Sequence, residues 1–486
     1  MGDEPTVQPG GETDGGVVVD GTVPADGNDP GQTDTGAQLD GGGGDTGAQT
    51  DTGTHVDASD GGPIDASACL ALTVNDTVGI FVVPSGVDGS TCGSRAQPCA
   101  TIQYGIDLAV NGGKTTVYVA GSLTPYVGSI TLKPGITVEG GWAASGTQWT
   151  PNCSSTRGSA VTIQATTAVV VTASALGGSA GLKSLTLKSK AIPAVGESLY
   201  GVLATGATTQ VSLDEVWIEV AAGGAGANGA AGSAGSPGGA GCVSGNGGAG
   251  AQGANGAGAT AGSFSESGYA AGAGGAASGG GAGQNGTAND AGCASCVTCV
   301  AACNTTQSCN AVAQGTQCSY GAGGCGATGG TGGTGATSGG SSIGIFAWAA
   351  HVAIVGGRVA SGNGGNGGTG GIGGSGGNGS NGTAGTAVSC VTGCWSCQDI
   401  LAGDAIDCMN PTAGISTDIS AAPAGTKGGN GGTGGNAGGG SGGHSYAIYS
   451  GGSAVVNPTG ATLSHGVAGT GGAAGGATGV AADQGP

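Results

Sequence analysis

The sequence predicts an all-β protein built as a solenoid, in which coils made of short β-strands stack on one another. Three observations lead to this fold class. One unit, 200–220 (YGVLATGATTQVSLDEVWIEV), returns in looser form at 343–360 and at 446–467. Each copy carries short alternating apolar pairs, such as Val211 and Leu213, and each ends in a glycine-rich run. Glycine supplies 119 of the 486 residues and aromatic residues only 3%, so the core must be thin and made of small side chains. A recurring unit of this kind favours a repeat architecture over a globule.

The first segment, 1–66, is predicted to be a disordered acidic linker rich in Gly, Asp and Thr. It holds 14 of the 29 acidic residues and none of the nine Lys and Arg residues. Low hydrophobicity with high net charge cannot offset the entropy cost of ordering a chain. The whole chain carries a net charge of −20. Because phosphate contacts need basic side chains, we expect no nucleic-acid partner.

Segment 67–222 is predicted to hold the N-terminal part of the stack. Short runs of apolar and β-branched residues separated by turn residues, such as 116–119, 129–132 and 182–187, are typical of strands. One short helix is expected over 102–110, where apolar residues recur at helical spacing between a proline and two glycines. These signals alone leave a β-sandwich, a barrel and a β-helix open.

Residues 80–142 carry a resemblance that separates these alternatives. The runs VVPSGVDG, PCATIQYGIDLA, TTVYVAG and ITLKPGITVEGG follow one another in this order. This order is similar to the opening of right-handed parallel β-helix proteins of the pectin-lyase-like class. The departure is GSLTPY at 121–126, where that class usually has a Gly-Thr-Tyr turn. The resemblance implies a right-handed parallel β-helix whose short helix caps the N-terminal end of the stack, where strand edges would otherwise be exposed.

Two long glycine-rich arms, 223–340 and 362–443, interrupt the stack. When every third position is counted, glycine occupies 12 of the 14 positions from 223 to 262 and all eight positions from 364 to 385. Collagen shares this period but needs far more proline. The pattern therefore predicts polyglycine helices of the polyproline-II type, packed into bundles through their bare faces. Disorder is the alternative, because ordering glycine is entropically costly.

The segments that flank the arms complete the expected organisation. Residues 341–361 are predicted to form one β-helix coil, and 444–486 the last coil with a glycine-rich tail. Both arms leave after an equivalent point of a coil, and stacked coils lie about 4.8 Å apart. We therefore expect the arms to leave from one edge and to pack together. In composition, this part resembles PGRS-type glycine-rich surface proteins of environmental bacteria.

Sixteen cysteines in so polar a chain predict an oxidising compartment and a set of disulfides. The spacing of Cys293, Cys296, Cys299 and Cys303 equals that of a bacterial ferredoxin run, but no second such run supplies the partner ligand. Disulfides are therefore favoured over zinc or an iron–sulfur cluster, and neither a metal nor a cofactor is predicted. The candidate disulfide cysteines are Cys92 and Cys99, expected as a local pair, and Cys293, Cys296, Cys299, Cys303, Cys309, Cys318, Cys325, Cys390, Cys394, Cys397 and Cys408.

The start of the sequence bears on export and anchoring. The longest apolar run near the start, 17–19, is too short for a signal peptide, so we expect that a leader is missing from this sequence. The start Met-Gly-Asp-Glu-Pro resembles a mature bacterial lipoprotein whose first cysteine is replaced by Met1. This resemblance implies a lipid anchor and an extracellular or outer-surface location. No run approaches the ~18–20 apolar residues that span a bilayer, so no transmembrane segment is expected.

Side chains that could carry chemistry are few in the predicted coils. Asp214 and Glu215 are adjacent in a strand and are expected to point to opposite faces, which does not support a paired-carboxylate site. The four histidines are scattered along the chain. No catalytic residue is predicted, and the sequence favours a protein that is not an enzyme without deciding the question.

These observations favour a non-enzymatic, exported structural or adhesive protein of the cell surface. Its expected partners are surface polysaccharide or other envelope components. The alternative is a pectin-lyase-like β-helix that binds or cleaves polysaccharide on the face formed by 130–220. A third hypothesis is ice binding, because glycine bundles and threonine-bearing coils can both present regular surfaces.

Overall fold

A computed structural model describes eight ranges of the chain. They are 69–153, 157–242, 245–289, 312–313, 320–386, 388–393, 416–419 and 422–486. The segment predicted to be disordered, 1–66, lies outside the described residues.

The described chain is an all-β structure in which three parallel sheets hold most of the strands. The first sheet contains, in spatial order, β1 (Gly79–Val82), β2 (Thr116–Ala120), β5 (Thr137–Ser145), β9 (Gly178–Lys183), β12 (Thr209–Asp214), β18 (His351–Val355) and β23 (Val455–Thr459), with β6 (Gln148–Pro151) antiparallel to β5. The second contains β3 (Tyr126–Val127), β7 (Thr162–Gln164), β10 (Thr186–Lys188), β13 (Trp217–Glu219), β19 (Arg358–Ala360) and β24 (Thr462–Ser464). The third contains β4 (Ile130–Thr131), β8 (Val169–Ser174), β11 (Leu199–Thr205), β17 (Ser342–Trp348), β22 (Ser445–Gly451) and β25 (Ala481–Gly485).

Two smaller antiparallel sheets lie in the glycine-rich arms. One is the hairpin of β14 (Ser263–Ser265) and β15 (Gly268–Ala270). The other joins β16 (Val312–Ala313), β20 (Val388–Gly393) and β21 (Ser416–Ile419).

From β4 onwards the chain visits the three large sheets in a fixed rotation: third, first, then second. Each pass pairs with the next one in parallel and in register. Tyr200 in β11 pairs with Ile343 in β17, and Ile343 pairs with Tyr446 in β22. The three copies of the repeat that the sequence shows therefore lie on successive strands of the same sheets.

The core consists of inward-pointing side chains that stack in columns across successive passes. In the first sheet one column is formed by Leu182, Leu213 and Ile354, each 1% exposed. Similar columns of Val, Ile and Leu run through the other two sheets. Because burying one such side chain contributes about 1.5–3 kcal/mol, the columns hold neighbouring passes together.

Residues with left-handed backbone make the corner between the first and the second sheet. The residue after β9, β12, β18 and β23 has positive φ in each case: Ser184 and Glu215 at 52°, Gly356 at 62° and Gly460 at 68°. The prediction of one strand over 182–187 is wrong, because the chain turns at Ser184 between β9 and β10. Since the left-handed conformation costs a non-glycine residue about 1–2 kcal/mol, these corners depend on the strands around them.

The helix expected from the sequence is present as α1 (Ile102–Asn111). Thr101 is its N-cap, and its side chain accepts a backbone N–H of the first turn. The Asp88 carboxylate accepts the Thr101 hydroxyl at 2.7 Å and so fixes the start of the helix. The buried face of the helix, with Ile102 and Ile106, belongs to the same core cluster as β1 and β2.

Candidate functional site

The glycine-rich parts of the chain all connect the second sheet to the third. The first follows β13 and returns at β17, the second follows β19 and returns at β22, and a short third one links β24 to β25. Since β13, β19 and β24 are neighbours in one sheet and β17, β22 and β25 are neighbours in another, the three excursions leave and return side by side.

Six extended segments with a three-residue hydrogen-bond period pack together in these excursions. We call them segments I (223–240), II (247–259), III (274–289), IV (321–340), V (363–383) and VI (426–443). Segments I and V run parallel: the Gly223 N–H donates to the Asn363 carbonyl at 2.9 Å, and the pattern repeats every third residue as far as Gly238 and Asn378. Regular pairing at this period means that the backbone itself holds the segments together.

Segment IV bonds to four other segments through its backbone. Around Gly330 and Thr331 the bonds are Gly330 N–H to Gly432 (3.0 Å), Thr331 N–H to Ser233 (2.9 Å), Gly280 N–H to Gly330 (2.8 Å) and Gly374 N–H to Thr331 (2.9 Å). These partners belong to segments VI, I, III and V. Segments I–VI together are called the bundle below. Segment IV lies within the bundle, because its backbone is bonded to neighbours in several directions across its axis.

The repeat Thr-Gly-Gly in segment IV follows from this packing. A Cβ atom on Gly329 would overlap the carbonyl oxygen of Gly280, and one on Gly330 would overlap that of Gly374. The third position faces outward, and Thr331 there is exposed. Its Oγ1 accepts the Ser233 N–H at 2.6 Å. Gly329 and Gly330 therefore leave no room for a Cβ atom, while the third position accommodates a side chain that bonds to the adjacent segment. Towards the ends of segment IV, Ala327 and Ala336 stand where the repeat has its second glycine.

Asparagine side chains satisfy backbone donors elsewhere in the bundle. The Asn228 Oδ1 accepts the Thr369 N–H at 2.8 Å, and the Asn430 Oδ1 accepts the Gly379 N–H at 3.0 Å. Lys427 is the single Lys, Arg, Asp or Glu in the sequence of segments I–VI. The side chains of the bundle are therefore small and almost all uncharged.

The β14–β15 hairpin fastens the first arm to the outer face of the third sheet. The Phe264 ring lies 3.9 Å from the Tyr449 ring in a stacked arrangement. The Tyr269 backbone N–H donates to the Tyr200 hydroxyl at 2.9 Å. On the sheet, the buried residues Tyr200, Ile343, Phe346, Tyr446 and Tyr449 form a hydrophobic cluster that is aromatic except for Ile343. Aromatic contacts thus join the glycine-rich bundle to the sheets.

Three disulfides lie in the described part of the chain. Cys92 and Cys99, expected as a local pair, are bonded to each other. Cys69 bonds to Cys153 across 84 residues. The last one joins Cys242, just after segment I, to Cys325 in segment IV.

Sequence reasoning grouped Cys325 with the cysteines that precede it and did not include Cys69, Cys153 or Cys242. Segments I and IV are antiparallel, which brings the end of one beside the start of the other, but that pairing is not visible in the sequence. Cys390 lies in β20, and its side chain is not described. The remaining candidates lie outside the described residues: Cys293, Cys296, Cys299, Cys303, Cys309, Cys318, Cys394, Cys397 and Cys408.

One group in the described ranges has the composition of a metal site, namely Asp88, Cys92 and Cys99. The two cysteines form a disulfide and therefore offer no thiolate. The Asp88 carboxylate accepts bonds from the Ala100 N–H at 2.7 Å and from Thr101. These bonds lower the pKa of the Asp88 carboxyl despite the opposing effect of its partial burial. The group therefore serves the start of α1.

The acidic residues of the repeat take structural positions. Asp214 lies 3.7 Å from Lys183 on the neighbouring strand, and Glu219 lies 3.1 Å from Lys188. Glu215 sits at a left-handed corner instead of continuing the strand, so its position differs from the expected alternation. Burial raises the pKa of the Glu215 carboxyl, and the charge of Asp214 adds to this effect.

The outer face of the first sheet carries a shallow groove of about 180 Å³. Outward side chains of successive strands line it, including Gln210 and Ser212 in β12, His351 in β18 and Asn457 in β23. Such a row can donate and accept hydrogen bonds along a polar ligand that lies across the strands.

The search for relatives found no match: no protein-family model, no curated protein and no solved structure matches the chain. In the described part of the chain, no helix has the length and apolarity that crossing a membrane requires.

Proposed function

We propose that this protein is a non-enzymatic, exported structural or adhesive component of the cell surface. The observation that carries the proposal is the bonding of segment IV, whose backbone joins four other segments near Gly330 and Thr331. A flank held by backbone hydrogen bonds, with small uncharged side chains outward, suits a stiff spacer or a contact surface better than a concave catalytic site.

In this proposal the three large sheets form a right-handed parallel β-helix. The fixed rotation of the strands and their parallel, in-register pairing support it. The helix α1 serves as the N-terminal cap, because its apolar face packs into the core beside β1 and β2. A cap at this end keeps the apolar interior of the first coil away from water.

Segments I–VI act as polyglycine helices of the polyproline-II type. Such a helix has three residues per turn and rises about 3.1 Å per residue, so its side positions repeat every three residues. The three-residue hydrogen-bond period of the bundle supports this assignment. In composition, the arms keep their resemblance to PGRS-type surface proteins.

Export and tethering complete the proposal. Three disulfides in the described ranges support an extracellular location, because disulfides persist in oxidising compartments. The acidic segment 1–66 serves as a solvated tether, and a lipid anchor at its start holds the protein to the envelope. Reading the gene upstream of Met1 tests the anchor: a leader ending in a lipobox supports it, and a start codon without a leader contradicts it.

The cellular role is tested on cells that make the protein. Antibodies against the purified protein should label intact cells, and cells that lack the gene should attach more weakly to a polysaccharide-coated surface. Restoring the full-length gene should restore attachment. Labelling that requires permeabilised cells, or attachment that does not change, would contradict the proposal.

The second candidate function is polysaccharide binding or cleavage, and the groove on the first sheet favours it. A panel of polygalacturonate and alginate, with and without Ca²⁺, tests both activities by calorimetry and by release of reducing ends. Replacing Gln210 and His351 by Ala should then abolish binding. Thr462→Ala, on the second sheet, is the control that should leave binding unchanged. If the unaltered protein neither binds nor cleaves any polysaccharide of the panel, this second candidate is excluded and the structural role stands.

A further inference from the structure

His444 lies where the β14–β15 hairpin meets two strands of the third sheet, β22 and β25. The residue lies just before β22 and is 5% exposed. Its ring centroid lies 5.2 Å from that of Phe264 and 5.1 Å from that of Tyr269, both in the β14–β15 hairpin. It also stacks on Tyr446 in β22 at 5.7 Å. One imidazole ring thus contacts the hairpin of the first arm and the third sheet at once.

The same ring holds the C-terminal strand. Its Nδ1 accepts the Val480 N–H at 3.0 Å, directly before β25 begins. An Nδ1 that accepts a hydrogen bond carries no proton, so the proton of the neutral ring is on Nε2. The Nε2 atom is buried and has no hydrogen-bond partner among the described residues. The contact with Val480 therefore requires the neutral ring.

We propose that His444 is a pH-sensitive latch: a second proton on the ring releases both the β14–β15 hairpin and β25, and thereby uncovers the aromatic face of the third sheet. In the charged ring both nitrogens are donors, so Nδ1–H and the Val480 N–H would point at each other. The opening that follows would expose Tyr200, Phe346 and Tyr449, which the hairpin covers.

The groups around the ring do not provide a counter-charge. The titratable neighbours on the packed elements are Tyr269 in the hairpin, Tyr446 and Tyr449 in β22, and Tyr200 in β11. Burial raises the pKa of each of these phenols, so they stay neutral in acid. The acidic residues in the sequence of these elements are Glu266, exposed in the turn of the hairpin, and Asp483 of β25. The Asp483 carboxylate is bonded to the His465 ring at 2.8 Å.

The sign of the effect follows from burial. Burial lowers the pKa of the His444 ring from its ordinary value near 6.5. The open state, with the ring in water, therefore binds more protons than the closed state between the ordinary pKa and the lowered one. The latch is at full strength above about pH 6.5 and weakens as the pH falls below that value.

Hydrogen exchange on the full-length protein tests the latch at pH 7.5 and 5.0, with labelling times scaled for the intrinsic pH dependence of exchange. Amides in the peptides that cover 263–270 and 480–485 should exchange faster at pH 5.0, because these segments open more often. The opening equilibrium should rise by up to roughly 30-fold if the ring of the closed state stays neutral at that pH. A peptide covering β11 should change much less. His444→Gln, which keeps an acceptor but cannot be protonated at these values, should remove the pH dependence.

His351→Gln is the matched control, because it removes an exposed histidine in β18 of the first sheet and should leave the response intact. His465 does not serve, since its ring is bonded to Asp483 of β25. If His444→Gln does not fold, His444→Phe keeps the ring contacts without a titratable group and makes the same prediction. An unaltered protein with no pH response would overturn the proposal, since the aromatic rings would then hold the charged imidazole in place. A response that persists in the His444 variants would also overturn it.

Discussion

The hydroxyl oxygen of Thr331 accepts the backbone N–H of Ser233 at 2.6 Å, across 98 residues of chain. The same contact recurs at Thr328, Thr334 and Thr337, each with a residue of segment I at 2.6–2.7 Å. A row of threonines therefore binds two segments that are far apart in the sequence. This relationship links the Thr-Gly-Gly repeat to the cohesion of the bundle.

The threonine row gives the first prediction. Thr331→Val keeps the shape of the side chain but removes the acceptor, and should lower the free energy of unfolding by about 0.5–1.5 kcal/mol. Thr331→Ser keeps the acceptor and should cost less. Urea unfolding followed by circular dichroism measures both. Equal stability of the Val variant and the original protein would show that the hydroxyl contact contributes nothing.

The second prediction concerns the close approach of segments IV and V. Gly330→Ala places a methyl group on the carbonyl oxygen of Gly374, so the segments must separate. We expect a loss of about 1–3 kcal/mol, the usual cost of overpacking. Gly239→Ala is the matched control, since a Cβ atom there meets nothing within 4 Å. Similar melting temperatures for the two variants would contradict the packing described above.

The third prediction uses a corner of the coil. Ala349 follows β17 with a φ of 55°, which an alanine adopts at a cost of about 1–2 kcal/mol. Ala349→Gly should relieve that cost and raise stability by up to about 1 kcal/mol after the larger entropy of unfolded glycine is subtracted. Ala347→Gly, two residues earlier in the strand and fully buried, should lower stability instead. The account of the corner fails if both variants are destabilised alike.

The fourth prediction concerns the disulfide between Cys242 and Cys325. Replacing both cysteines by serine should lower the stability of the bundle by about 2–4 kcal/mol, because the bond closes a loop of 83 residues. Limited proteolysis should then cut between segments I and II sooner than in the parent. Replacing Cys92 and Cys99 in the same way should leave the cleavage rate of the bundle unchanged.

Much of the parallel framework could be predicted from the sequence, because alternation and the recurrence of 200–220 carry it. The corners were harder, since Ser184 and Glu215 adopt a left-handed conformation that their residue types do not favour. Because the residue type of Ser184 does not mark a corner, the run 182–187 is predicted from the sequence as one strand. The strand β25, with the sequence AADQG, was hidden in a segment expected to be a glycine-rich tail.

Within the arms, the sequence predicted the three-residue period but not the pairing. A repeat of identical glycines fits many registers equally well, so the choice of neighbours depends on chain connectivity and on rare side chains. One such signal was present: Phe264 and Tyr269 are the aromatic residues of segment 223–289. Their presence in an otherwise small-residue arm marks the hairpin that docks on the third sheet.

The central claim is that the glycine-rich arms form a hydrogen-bonded bundle, and amide hydrogen exchange over segment IV at pH 7 tests it most directly. The account predicts that the N–H groups of Gly330, Gly333 and Ala336, which donate to segment VI, exchange at least roughly 100-fold more slowly than in an unstructured peptide of the same sequence. Exchange of these amides at the unstructured rate would contradict it.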